Sequence, residues 1–267
     1  MHDPYVHGYS SRESLRLQDQ ARTLEELLHH DTAYSPQSRV LEIGCGVGAQ
    51  TVILGKSSPR AEILSVDISS ESLRSARKKI RLAGMEHVSF LCGDIFHLPL
   101  EEECVDHIFV CFLLEHLPNP GRALEVLRGI LKTGGTLTVI EGDHGSAFFH
   151  PENDHAKEAI RCLIELQKEK GGNALIGREL YPLISAAGFR NVIVSPRMVY
   201  ADATRPDLEE GFTRLTFTAM VEGIQHDVLE RKMMDPSSWE EGIAALRRAS
   251  EAKGTFCYTF FKATAVK

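Results

Sequence analysis

The stretch Val40-Leu41-Glu42-Ile43-Gly44-Cys45-Gly46-Val47-Gly48 decides how this 267-residue chain is read. Arg39 to Ile43 is a short apolar run interrupted by one acid. It ends in three alternate glycines, and a helical pattern through Val52 and Leu54 comes next. A strand that stops at glycines and turns directly into a helix is a phosphate- or nucleoside-binding turn. Glycine permits the tight bend and the close approach of a ligand to the backbone.

Two cofactor patterns compete for this loop. A dinucleotide loop reads G-x-G-x-x-G or G-x-G-x-x-A, which Gly44, Gly46 and Ala49 meet loosely. The pattern E-x-G-x-G-x-G is met in full by Glu42, Gly44, Gly46 and Gly48. The context separates them. Glu42 stands where dinucleotide folds keep an apolar run. The second strand, Ala61 to Val66, ends at Asp67, and a carboxylate there can accept hydrogen bonds from two ribose hydroxyls. The third strand, Val88 to Leu91, ends at Gly93-Asp94, where an acid can accept from an adenine amino group.

Outward from the loop, strand and helix patterns alternate. Upstream, Ser10-Ser11-Arg12-Glu13 reads as a capping box. Leu17, Ala21, Leu24 and Leu28 then recur at helical spacing to about His30. Downstream, a helix is expected from Ser70 to Ala83, stopped by Gly84. A fourth strand covers Val105 to Phe112, and a helix with Asn119 as cap and Pro120 at its first position runs to Leu131. Thr136 to Ile140 is a fifth strand, succeeded by a polar loop at Glu141-Gly142-Asp143-His144-Gly145. Four such repeats predict a parallel sheet covered by helices on both faces. The second half predicts helices near 151–170 and 178–187 and a sixth strand over Val192 to Val199. A helical insertion over 200–254 and a last strand over Thr255 to Ala263 complete the chain.

Composition narrows the function. The chain is 43% hydrophobic and 25% charged, as soluble globular proteins are, and its net charge of −7 gives no general attraction for nucleic acid or anionic lipid. No apolar run approaches the ~20 residues that span a bilayer. Met1-His2-Asp3-Pro4-Tyr5 shows neither a basic start nor an apolar stretch, so a cytoplasmic protein is expected. The six cysteines include no C-x-x-C pair, which predicts reduced, mostly buried thiols. Asp143, His144, His150, Glu152, Asp154 and His155 crowd together in sequence, but their spacing matches no metal motif, and no metal is expected.

Taken in order, VLEIGCGVG, SVDIS, GDIFHLP, LLEHLPNP and LKTGGTLTVIEGD resemble the class I S-adenosylmethionine-dependent methyltransferases over residues 38 to 143. The resemblance implies a doubly wound, Rossmann-like, mostly parallel seven-stranded sheet with its last strand antiparallel. With the helical patterns outside that stretch, the chain divides into an N-terminal lid helix over 1–35, a core over 36–199 and 255–267, and a helical cap over 200–254. The resemblance also implies S-adenosyl-L-methionine as cofactor and release of S-adenosylhomocysteine. Carried over by position, Gly44, Gly46 and Gly48 would line the methionine and ribose end. Glu42 would orient the loop or hold the amino group through water. Asp67 would take the ribose hydroxyls, Ile68 the adenine face, Asp94 the adenine amino group and the backbone of Ile95 a ring nitrogen. Cys111 and Phe112 would lie beside the cofactor. Tyr9 would close over it, and Arg16 or Gln20 would reach its carboxylate.

Methyl transfer needs a base only when the acceptor must lose a proton. His144 is the first candidate, because imidazole titrates near neutral pH. His116 is a second, and Glu141 is expected to orient His144 or line the pocket. No N-P-P-Y motif follows the fourth strand; that place reads Cys111-Phe112-Leu113-Leu114. With the acidic charge, this favours a small-molecule acceptor methylated on carbon, oxygen or nitrogen. Tyr200, Phe212, Met220 and Trp239 are the expected acceptor contacts, joined by Leu215 and Phe217 as further apolar candidates. The alternatives are a protein or RNA methyltransferase, a non-catalytic cofactor-binding protein and a nicotinamide-dependent oxidoreductase. A homodimer is possible on this reading, with no membrane partner.

Overall fold

The computed structural model describes residues 11–267. After helix α1 (Ser11–His29) come β1 (Arg39–Ile43), α2 (Ala49–Ser57), β2 (Glu62–Asp67), α3 (Ser70–Leu82), β3 (Val88–Cys92) and β4 (Val105–Cys111). The chain continues through α4 (Pro120–Ile130), β5 (Leu131–His150), α5 (Asp154–Glu169), α6 (Leu180–Ala186), β6 (Arg190–Ala201) and β7 (Thr255–Val266). Between β6 and β7 lie α7 (Pro206–Leu208), a π-helical stretch Glu209–Thr218, α8 (Ala219–Glu222), α9 (Gln225–Glu230) and α10 (Pro236–Arg248). The seven strands are ordered β3-β2-β1-β4-β5-β7-β6 with β7 antiparallel, as the sequence implied. The antiparallel return is visible where Gly134 N–H donates to Lys267 O and Lys267 N–H to Gly135 O.

The parallel registers are regular. Ile43 stands beside Val66 and Val110, Asp67 beside Cys92, and Cys111 beside Ile140. The carboxyl ends of β1 to β4 therefore share one edge. Local chemistry sets the helix starts. The side chains of Ser69, Asn119, Asn153 and Asp235 each accept a backbone N–H of the first turn they precede.

Two differences from the sequence reading matter. β5 does not stop at Ile140 but runs on to His150, so Glu141 to Gly145 lie in a strand and not in a loop. Tyr258 and Thr259 of β7 supply the reason, bonding His144 and Ser146 and drawing the polar segment into the sheet. The insertion is helical as expected, but its middle is π-helical. There the Thr216 hydroxyl donates to the Gly211 carbonyl five residues back.

The chain divides into two compact units. One, the sheet unit, comprises 28–141, 176–196 and 261–267. Its core joins Leu41, Ile43, Val66, Ile108 and Leu137 of the sheet to Leu124 and Leu127 of α4 and Leu180 of α6. The other, the cap unit, comprises among the described residues 11–27, 142–175 and 197–260. Its core is aromatic, built from Phe149, Phe212, Phe217, Phe256, Tyr258 and Phe260, all buried. In the same unit α10 meets α5 closely at Gly242, where an added Cβ would stand 2.7 Å from the His155 carbonyl oxygen.

Candidate active site

Within the sheet unit, the glycine loop is held from below by acids and hydroxyls. Gly44 and Cys45 N–H both donate to Val66 O. Gly46 N–H donates to Asp67 Oδ2 at 2.7 Å, and Ser69 N–H to Asp67 Oδ1 at 2.8 Å. Lys79 of α3 donates to Val47 O at 2.9 Å. All three glycines have positive φ, from 51° to 77°. Side chains at Gly44 and Gly48 would press on Leu113 and Ala76, whereas the Cβ position of Gly46 faces open space. Gly46 is therefore the place where a ligand can come against the backbone.

Glu42 lies under the loop, 2% exposed, and its Oε2 accepts from Thr51 Oγ1 at 2.7 Å and Ser65 Oγ at 2.6 Å. These bonds tie β1 to α2 and β2. Burial raises its pKa to about 7, against the lowering effect of the two hydroxyls. Burial also raises the Asp67 carboxyl, opposed by the N–H groups it accepts. Asp94 sits at the end of β3 and accepts Phe96 N–H at 3.0 Å, which pulls its pKa down, with His97 adding to this. Ile68, 67% exposed, presents an apolar side chain beside Asp67, and Ile95 is buried next to Asp94.

At the end of β4, burial pushes the Cys111 thiol well up. Phe112 then adopts φ 55°, a backbone region that costs a bulky side chain about 1–3 kcal/mol. Glu141 shapes the turn after Phe112. It is fully buried, and its Oε1 accepts Leu113 N–H at 3.0 Å and Leu114 N–H at 2.7 Å. Burial, then the neighbouring Glu115, holds its pKa high. His116 Nε2 lies 3.7 Å from Glu115 Oε1.

The remaining candidates fall in the cap unit. His144 is buried, and its Nδ1 lies 2.7 Å from the Tyr258 hydroxyl. Glu141 is thus bonded to the turn after β4, and Tyr258 is the partner that β7 gives His144. Arg16 Nη1 donates to Gln20 Oε1 at 2.9 Å along α1. Phe212, Phe217, Met220 and Trp239 are packed in the interior of this unit, while Tyr200 and Leu215 are exposed by 42% and 41%. Tyr9 lies outside the described residues. Among the described residues, no three His, Cys, Asp or Glu side chains come together to hold a metal ion.

Three residues escaped the sequence reading: Tyr258, Gly142 and Lys79. Gly142 carried a signal, since a glycine inside a strand marks close approach of another chain segment. The expectation of a loop at that place concealed it. Lys79 gave no local signal, because the loop it reaches lies 32 residues away in sequence.

Comparison with known proteins agrees with this geometry. Residues 41–139 match the family model of a methyltransferase domain. An uncharacterised 37.1 kDa protein of transposon Tn4556 from Streptomyces fradiae is 29% identical over 226 residues, covering 84% of this chain and 64% of that one. The demethylmenaquinone methyltransferase of Staphylococcus aureus is 28% identical over 124 residues, 46% of this chain and 51% of the relative. Among solved structures, phosphoethanolamine N-methyltransferase 2 of Haemonchus contortus superposes with a TM-score of 0.57 at 13% identity. That match covers 93% of this chain and 52% of the other, and the structure holds phosphomonomethylethanolamine and S-adenosylhomocysteine. The chain thus spans between half and two thirds of the length of these relatives. Among the described residues, no helix is long and apolar enough to cross a membrane.

Proposed function

We propose that the chain, whose residues 41–139 match a methyltransferase domain, is a class I S-adenosyl-L-methionine-dependent methyltransferase that methylates a small-molecule acceptor on carbon, oxygen or nitrogen. One observation carries the reading. A glycine loop open at Gly46 and two acids, Asp67 and Asp94, converge on one edge of the sheet unit. The names of the relatives support a small acceptor, a quinone precursor in one case and a phosphorylated amine in another.

The residues fit the cofactor. Gly46 leaves backbone room for its methionine and ribose end, and Gly44 and Gly48, packed on Leu113 and Ala76, shape the turn that presents it. Asp67 keeps lone pairs for ribose hydroxyls beyond the two N–H groups it accepts, and Asp94 can accept from an adenine amino group. Ile68 offers the exposed apolar surface against which a base ring packs. When bound, the cofactor supplies a methyl group already activated on a sulfonium. The protein's part is then positioning, worth several kcal/mol when the reacting atoms are held about 3–3.5 Å apart. Arg16 is suited to the cofactor carboxylate. Where the acceptor must lose a proton, His144 receives it, with His116 as the second candidate. Tyr200, exposed on the same unit that buries Phe212, Met220 and Trp239, serves the acceptor.

Calorimetric titration with S-adenosyl-L-methionine, and NADH in parallel, tests the cofactor reading. Micromolar binding of the first and none of the second is expected. Binding of NADH alone would overturn it. A screen of metabolites with the radiolabelled methyl donor then tests the acceptor class. Label appearing only in protein or RNA would reject the small-molecule reading.

A further inference from the structure

β5 and β7 build a second, unanticipated feature in the cap unit. Gly142 and His144 are two residues apart on one strand and so share a face. Tyr258 on β7 reaches across that face. Its hydroxyl lies 2.7 Å from His144 Nδ1 and occupies the space where a side chain at position 142 would be; an added Cβ there would overlap it. Glycine at 142 is thus what lets the hydroxyl reach the imidazole.

The phenol ring is held on several sides. Its centroid is 4.7 Å from that of Phe260, 5.4 Å from Phe212 and 5.5 Å from Phe217. The imidazole meets the Phe217 ring nearly at right angles, 6.1 Å between centroids. The backbone on both sides is fastened too. His144 N–H donates to Ala174 O at 2.9 Å, Gly145 N–H to Asp143 Oδ1 at 3.0 Å, and Thr259 N–H to Ser146 Oγ at 2.8 Å. Neither ring can turn without breaking packing, so the hydrogen bond between them has one geometry.

A phenol can accept the Nδ1–H or donate its own O–H to Nδ1, so each direction of this bond corresponds to one imidazole tautomer. We propose that Tyr258 is a positioning residue for His144: its oxygen accepts the Nδ1–H, which leaves the lone pair on Nε2. This rests on the reading of His144 as the base. The acceptor's proton then passes to Nε2, and the ring becomes an imidazolium that keeps its Nδ1–H on the phenol oxygen. The proton leaves later to water. The arrangement does with a neutral oxygen what a carboxylate does behind a catalytic histidine elsewhere: it orients the ring and selects the nitrogen that reacts.

The test is the tautomer itself, read by long-range proton–nitrogen NMR on protein labelled with ¹⁵N-histidine. The His144 signals are identified by their loss in His144→Asn. The wild-type ring is expected to carry its proton on Nδ1. Tyr258→Phe removes the acceptor oxygen, and Gly142→Ala displaces it from the opposite side; both are expected to abolish the preference. Phe260→Leu thins the same packing without touching the bond, and the preference should survive. A wild-type ring protonated on Nε2 alone overturns the proposal even if no variant folds. So does a tautomer unmoved in folded Tyr258→Phe. Turnover retained by His144→Asn would instead remove the base reading, and the tautomer comparison decides the role of Tyr258 apart from it.

Discussion

The Gly46 amide donates to the Asp67 carboxylate at 2.7 Å, so the residue that closes β2 also holds the open point of the glycine loop. The same carboxylate accepts Ser69 N–H at 2.8 Å, one bond on each oxygen. Asp67 is thus placed by two backbone groups before any ligand arrives, with lone pairs to spare.

Asp67→Asn keeps the shape and removes one acceptor oxygen. One of the two N–H groups must then face an amide NH₂. Hydrogen bonds to a charged acceptor are worth about 1.5–3 kcal/mol, so affinity for S-adenosyl-L-methionine should fall about 10- to 100-fold. Calorimetry checks this, and unchanged affinity would separate Asp67 from the cofactor.

Gly46 and Gly48 should fail differently when replaced by alanine. Both have positive φ, which costs a side chain about 1–2 kcal/mol. At Gly48 the new Cβ would also stand 2.8 Å from Ala76 Cβ, so Gly48→Ala should lower the melting temperature by the larger amount. At Gly46 nothing lies within 4 Å. Gly46→Ala should therefore cost little stability beyond the strain and should lose cofactor binding. Thermal unfolding alongside titration separates the two.

These contrasts also show how much the chain itself reveals. The glycine loop, Asp67, Asp94 and the end of β4 were legible because each is a local event: a strand ends and a particular side chain or glycine comes next. The seven strands and the antiparallel last one came with the resemblance, and their order did not. The span of β5 was not legible. Glu141 to His144 read as a polar loop, and only β7, more than a hundred residues on, turns that segment into strand by bonding it. Core and acceptor candidates could not be told apart in the sequence for a related reason. Phe212 and Trp239 are apolar at helical spacing, a pattern that serves an interior and a ligand equally, and the structure packs both in an interior. Tyr258 carried no signal in an alternating strand until its neighbour Gly142 was seen.

Two buried groups in the sheet unit make opposite contributions to stability with pH. Glu42 has its pKa raised to about 7, so it favours the fold fully below the unfolded value of 4.5 and loses that as pH rises through 7. His29 has its pKa lowered to about 4, by burial first and by Lys262 second. Its contribution is present above 6.5 and lost as pH falls through 4. Each is worth roughly 3 kcal/mol over its window, at about 1.4 kcal/mol per pH unit of separation. Glu141, which burial also holds protonated, adds a slope of the same sign as Glu42, so the wild-type protein should lose stability as pH rises from 4.5 to 6.5. Glu42→Gln keeps an acceptor for Thr51 and Ser65 and removes one slope. Across that range its unfolding free energy should gain about 2–3 kcal/mol relative to the wild type's in urea titrations, because one falling slope is gone. Parallel profiles in the two proteins would show that Glu42 does not titrate as its burial requires.

Lys262 joins β7 to the end of α1. Its ammonium is almost fully buried and donates to Asp31 Oδ1 and Thr32 Oγ1, both at 2.5 Å, and to Leu28 O at 3.3 Å. Asp31 is more exposed, with 44% of its side chain open. The two partners are therefore not equivalent. Removing the carboxylate strands a buried cation, and breaking a buried pair in this way costs about 3–5 kcal/mol at most, less here because Thr32 and Leu28 still accept. Removing the cation leaves Asp31 to water, and a well-packed apolar replacement can recover the desolvation cost of the ammonium. Asp31→Ala should consequently destabilise the protein more than Lys262→Met, by about 1 kcal/mol or more in denaturant unfolding. The reverse order would mean that the bonds to Leu28 and Thr32, and not the charge, hold the end of α1 to β7.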